Sequence, residues 1–271
     1  MAPQHFRSIW ISDLHLGTRS LKNEQVLDFL LRTDSDFLYL VGDIFDLVQA
    51  NKAWHWPAVN DRIVQALLAK AEQGTQVIYL PGNHDHMLRA LDGLSMGNIR
   101  IQNTAIHQTV DGRRYLVLHG DTFDPVIRHC PWLVKTGSVA YALLLRCNRW
   151  FKVRRPGKKR EHRTLSAWLK HQTKRAVNCI GQFDALVARE AAAHRVDGLI
   201  CGHIHRAGIR EIGSALYTNT GDWVESCTAL AENQCGRLSV IEWPTHQPLR
   251  EAVSVVQHED LYSHRCLASP N

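Results

Sequence analysis

Five short apolar runs, SIWI (8–11), FLYLV (37–41), VIYLP (77–81), YLVLH (115–119) and GLIC (198–201), each lead into a small residue accompanied by side chains able to bind a metal. The turns read SDLH (12–15), GDIFD (42–46), GNHD (82–85), HGD (119–121) and GHIH (202–205). This recurrence restricts the fold more than any other feature of the chain. Runs so short and so apolar suit strands covered on both faces. Helical patterns at 23–32 and 58–73 separate the first three runs, and β-like runs at 209–219 and 236–243 follow the last motif. The alternation predicts an α/β sandwich, a central sheet with helical cover and a second set of strands. Ligands of open α/β sheets collect outside the carboxyl ends of the strands, so the five turns are expected to surround one site.

Seven side chains in these turns are candidate metal ligands: Asp13, His15, Asp43, Asn83, His119, His203 and His205. They offer oxygen and imidazole donors and no thiolate. Seven are too many for one tetrahedral ion and fit a pair. Two cations about 3.5–4 Å apart activate a water and stabilise an in-line displacement at phosphorus. One carboxylate would bridge them, and Asp43, between the two ligand sets, is the natural choice. The donors suit Mn²⁺ first, then Fe²⁺, and are compatible with Zn²⁺. A single D-x-H or H-x-H could merely cap a strand. Five such turns without a metal would cost about 1–3 kcal/mol for each polar group left unsatisfied.

Charge is unevenly distributed. Residues 126–180 hold 14 Lys or Arg and one acid, Glu161, whereas the remaining 216 residues carry 18 bases and 25 acids. Basicity therefore belongs to one segment and points to an anionic partner there. The part from 132 to 160 is apolar first, through Trp132, Leu133, Val134, Leu143, Leu144 and Leu145, and basic afterwards, from Arg149 to Arg160. Its 14-residue apolar part is shorter than the roughly 20 residues of a membrane span, so a helical cap or an interfacial helix is expected. This divides the chain into a core of 1–125 and 181–250, a basic, apolar helical insertion at 126–180, and a weakly patterned, partly mobile tail at 251–271. Helical patterning resumes from Thr164 to His194.

The ordered series D-x-H, GD, GNH(D/E), H and GH-x-H resembles that of the calcineurin-like metallophosphoesterases over roughly residues 7–243. The resemblance implies a four-layer αββα sandwich of two sheets with outer helices. It also implies a dinuclear site in which Asp13, His15, Asp43 and His205 hold one ion and Asp43, Asn83, His119 and His203 the other. By the same similarity His84 is a catalytic, non-ligand histidine that contacts the phosphate and protonates the leaving oxygen, and Asp85 orients a neighbouring group.

Within that superfamily the chain looks most like the UDP-2,3-diacylglucosamine hydrolases of lipid A biosynthesis, which release UMP and 2,3-diacylglucosamine 1-phosphate from a pyrophosphate. ISDLHLG, VGDIFDL, the insertion and TNTGDWVESCTAL (218–230) carry this likeness. The better-characterised branch of that group has arginine where this chain has His84, and a guanidinium clamps a diphosphate differently from an imidazole. The expected partners are a nucleotide-linked lipid, contacted by Asn83, His84, Arg128, Lys174 and Asn178, and an anionic membrane surface met by 132–160. Another phosphodiester or phosphomonoester, nucleic acid included, is the alternative substrate, and a non-catalytic scaffold is a third reading. Seven cysteines without a C-x-x-C pair and an N-terminus unlike a secretory signal suggest the cytoplasm, with the protein peripheral on the inner face of the membrane.

Overall fold

The computed structural model describes residues 3–48, 50, 54–124, 181–244 and 254–256. By its contacts the chain divides into one unit of Met1–Asp121 with Val187–Asn271 and another of Thr122–Leu186. The expected insertion at 126–180 lies outside the described residues, as do Arg128, Lys174 and Asn178.

The larger unit is a mixed α/β sandwich. Its elements begin β1 (Gln4–Ile11), α1 (Asn23–Arg32), β2 (Thr33–Val41), α2 (Ala58–Glu72) and β3 (Gln76–Leu80). Short strands β4 (Ser95–Met96), β5 (Ile99–Ile101), β6 (Ala105–Gln108) and β7 (Arg114–Val117) follow. After helix α3 (181–194), of which residues 187–194 belong to this unit, come β8 (Gly198–Cys201), β9 (Gly208–Ile212), β10 (Ala215–Asn219), β11 (Thr228–Glu232), β12 (Leu238–Glu242) and β13 (Ser254–Val256). Among the described residues they form two sheets, ordered β13-β12-β11-β1-β2-β3-β5-β4 and β6-β7-β8-β10-β9. The strand β13 lies in the expected tail and pairs antiparallel with β12.

Strand alternation builds the layers. Trp10, Tyr39, Val41, Ile78 and Leu80 pack against Tyr115, Val117, Ile200 and Leu216 between the sheets. Their neighbours Ile9, Ile11, Leu38, Leu40 and Val77 point the other way and meet Val26, Phe29 and Leu30 of α1 and Ile63 and Leu67 of α2. Each large apolar side chain so buried contributes about 1.5–3 kcal/mol. In the second sheet Leu116 and Leu199 alternate to the outer face and are buried, as are Val187 and Ala191 of α3. The helix α1 ends where Thr33 donates its hydroxyl to the carbonyl of Phe29 at 2.7 Å, and the chain turns directly into β2.

A polar cluster also crosses between the sheets. Glu232 on β11 is fully buried and accepts from Ser8 Oγ at 2.9 Å, His107 Nε2 at 2.8 Å and the Val110 N–H at 2.9 Å. Arg7 stands 3.1 Å away. Burial raises the carboxyl pKa, but the His107, Val110 and Ser8 hydrogen bonds outweigh it and hold the pKa below its ordinary 4.5. The resulting stabilisation is complete above the unfolded pKa and disappears as pH falls through the lower folded value. Glu232→Gln should therefore cost about 3 kcal/mol at neutral pH, and denaturation curves of variant and wild type should converge in acid. A gap unchanged by pH would contradict this account.

Candidate metal centre

Asp13 and His15 follow β1, Asp43 follows β2, and Asn83 and His84 follow β3, three adjacent parallel strands. His119 follows β7, and His203 and His205 follow β8, which are adjacent and parallel in the other sheet. All leave carboxyl strand ends, so both sheets feed one site. The loops continue side by side beyond the strands: Asp13 N–H donates to Gly42 O at 3.0 Å, His15 N–H to Asp43 O at 2.9 Å, and Gly202 N–H to His119 O at 2.9 Å.

Asp13, His15, Asp43, His203 and His205 have φ of 55°, 51°, 54°, 70° and 53°. Among the described residues only Arg195 and Cys227 share this left-handed conformation without being glycine. It costs about 1–2 kcal/mol per residue, and the strain is concentrated where the side chains converge. Gly82 is required by proximity, because a Cβ there would run into the carboxylate and backbone of Asp43 and into the His119 ring.

Among the described residues three groups of side chains hold ligand-capable atoms within 4.8 Å of one another: Asp13, His15 and His205; Asp43, His119 and His203; and His15, Asp46 and His84. Asn83 Oδ1 joins the second, 3.2 Å from His119 Nε2. Asp43 Oδ2 lies between the first two, 3.4 Å from His119 Nε2 and 3.9 Å from His15 Nε2. All seven candidate ligands are thus brought together.

The arrangement fits a metal. Ligands about 2.0–2.2 Å from a shared ion stand roughly 3–4 Å apart, a range that holds His205 Nε2 and Asp13 Oδ1 at 3.2 Å, His119 Nε2 and Asp43 Oδ2 at 3.4 Å, and His15 Nε2 and Asp13 Oδ1 at 3.9 Å. Asp13 Oδ1 is buried without a hydrogen-bond partner, although His205 Nε2 is only 3.2 Å away. His119 Nδ1–H donates to Val41 O at 2.9 Å, which fixes the tautomer and directs Nε2 into the site.

The electrostatics are those of a cation site. Burial raises the Asp13 and Asp43 carboxyls, but the surrounding imidazoles more than offset it, and both lie below the ordinary carboxylate range. Burial depresses His119, yet the Asp43 hydrogen bond and the charges of Asp13 and Asp43 raise it to about 9. The carboxylate of Asp13 similarly raises His205 against the effect of burial. His15 goes the other way, because burial outweighs Asp13 and Asp43.

Two acids support the site. Asp46, which was not among the sequence candidates, is buried, accepts from His84 Nδ1 at 3.0 Å and lies 3.7 Å from His15 Nδ1. Its signal was its place in GDIFD, three residues after Asp43. Asp85 is fully buried and orients backbone, accepting the N–H of Gly82 at 2.6 Å and of Ile44 at 2.9 Å, together with the Tyr79 hydroxyl at 2.5 Å. It locks the Asp43 loop to the Asn83 loop. An open cleft of about 420 Å³ lies over His15, Asp46, His84 and His205.

Residues 6–207 match the family model described as calcineurin-like phosphoesterase, and the chain belongs to that family, which implies divalent metal ions. It is 36% identical over 118 residues to a UDP-2,3-diacylglucosamine hydrolase of Xanthomonas campestris pv. campestris (strain B100), covering 42% of this chain and just 46% of that protein's length. A protein of the same name from Shewanella sp. (strain ANA-3) is 26% identical over 246 residues, 85% of this chain and 95% of that one. A solved structure of a Vps29 single mutant from Entamoeba histolytica superposes with a TM-score of 0.43 at 16% identity, covering 87% of this chain and 90% of that one.

Metal uptake should displace the proton on His119, because a ligating imidazole must be neutral. Affinity should rise with pH and level off above about 9, with proton release at neutral pH. Calorimetric titration in buffers of different ionisation enthalpy measures that release. Uptake without proton release at neutral pH would contradict it.

Proposed function

We propose that the chain is a two-metal hydrolase whose substrate is UDP-2,3-diacylglucosamine, cut at the pyrophosphate to give UMP and 2,3-diacylglucosamine 1-phosphate. The observation carrying the two-metal reading is that Asp43 Oδ2, grouped with His119 and His203, also lies 3.9 Å from His15 Nε2 of the group formed with Asp13 and His205. Asp13, His15, Asp43 and His205 would hold one ion and Asp43, Asn83, His119 and His203 the other. Manganese is the ion of choice for this mixture of oxygen and imidazole donors. When bound, such a pair polarises the phosphoryl group and acidifies the attacking water.

The remaining work falls to this chain's own residues. His84 is partly exposed at the cleft, with Nε2 4.0 Å from Asp43 Oδ2 and Nδ1–H held by Asp46. That hydrogen bond fixes the ring and leaves Nε2 to face the cleft, where it can pass a proton to the leaving oxygen. The names of the relatives support the lipid substrate, as does the apolar and then basic order of residues 132–160. On this reading that segment meets an anionic membrane from the cytoplasmic side. Among the described residues no helix is long and apolar enough to cross a membrane.

His84→Ala should lower turnover by roughly 10²–10⁴-fold and leave metal content intact, whereas Asp43→Ala should lose both. Retention of full activity by either variant would refute the assignment. Manganese-loaded protein offered UDP-2,3-diacylglucosamine, a simple phosphodiester and single-stranded DNA in parallel should turn over the first fastest. Faster cleavage of either competitor would move the substrate assignment to that class.

A further inference from the structure

Arg19 is the only lysine or arginine in the wall of the metal cleft among the described residues, where it stands with Thr18 and Ser20 beside His15, His84 and His205. It is exposed. Several other described arginines are paired with carboxylates, Arg7 with Glu232, Arg32 with Asp28, Arg89 with Asp121 and Arg113 with Asp111, and Arg62 and Arg100, which are not, lie outside the residues lining the cleft. The nearby Lys22 donates to the Glu225 carbonyl at 2.7 Å. Arg19 has no such partner among the described residues.

The turn that presents Arg19 is fixed. Thr18 donates to the carbonyl of His15 twice, through its N–H at 3.1 Å and through Oγ1 at 2.9 Å. The carbonyl of Gly17 accepts the His55 N–H at 2.8 Å. Gly17 itself has φ 105°, and the Trp54 indole fills the space a Cβ would need. A guanidinium without a counter-charge is therefore held on a pinned loop four residues beyond His15. Its planar fork matches the oxygens of a phosphate.

On the proposed function the histidines and carboxylates of the floor would receive one phosphoryl group, and Arg19 stands on the wall beside them. We infer that Arg19 is a specificity-determining residue that reads a second phosphoryl group, making the preferred ligand class a diphosphate over a monophosphate. The inference rests on the reading that the floor receives a phosphoryl group.

The test is calorimetric titration of UMP and UDP into manganese-loaded wild type, Arg19→Gln and Arg19→Lys, at equal free manganese. Wild type should bind UDP more tightly than UMP. Arg19→Gln should lose roughly tenfold or more in UDP affinity while UMP stays within about twofold, and Arg19→Lys should recover part of the loss, since an ammonium keeps the charge without the fork. Metal content and thermal unfolding should not change. An unchanged ratio of UDP to UMP affinity in Arg19→Gln, or equal weakening of both ligands, would overturn the inference. If the ratio behaves as expected but UDP-2,3-diacylglucosamine is not hydrolysed, the lipid assignment fails and the role of Arg19 stands.

Discussion

The carboxylate of Asp43 is the joint on which the site depends. Its Oδ1 accepts the backbone N–H of His84 at 2.7 Å, while Oδ2 faces His119 of the second sheet and His15 of the first. Its own backbone carbonyl receives the N–H of His15. One nearly inaccessible anion thus ties together the loops after β1, β2, β3 and β7. Burying such a charge is expensive unless cations or well-aligned donors surround it, and here the surroundings consist of imidazoles whose lone pairs a metal would claim.

The same requirement explains where the backbone is strained. Five histidines and aspartates adopt left-handed φ values at strand ends, a conformation these residue types enter more often than most but still at a cost. The two sheets and their shared apolar layer supply the stability that offsets it, so the core is rigid where the chain is apolar and the strain sits where the chemistry is. Asp85 belongs to the same design: by gathering backbone N–H groups from two loops it fixes their shape and leaves substrate contact to others.

Much of this was legible in the sequence because apolar strands and polar turns differ so sharply. The helix expected at 23–32 occupies Asn23–Arg32, since Val26, Leu27, Phe29 and Leu30 mark one face with helical spacing. The five strands before the ligand turns were visible for the same reason. The short strands β4 and β5 were not, because they are two and three residues long and Ser95, Met96 and Arg100 are exposed. The strand β11 pairs antiparallel with β1 across more than 200 residues of chain, a neighbour that periodicity cannot identify. Asp46 escaped because its role depends on where His84 and His15 arrive from other strands. Arg19 escaped because an arginine in a polar turn looks like any solvated charge until the cleft beside it is seen.

The central claim is that two cations share Asp43. Electron paramagnetic resonance of the protein loaded with two equivalents of manganese tests it most directly, because ions bridged by one carboxylate are magnetically coupled and isolated ions are not. The account predicts a coupled multiline spectrum in the wild type and its disappearance in Asp43→Asn. A simple six-line spectrum from the fully loaded wild type, with the ions independent of each other, would contradict it.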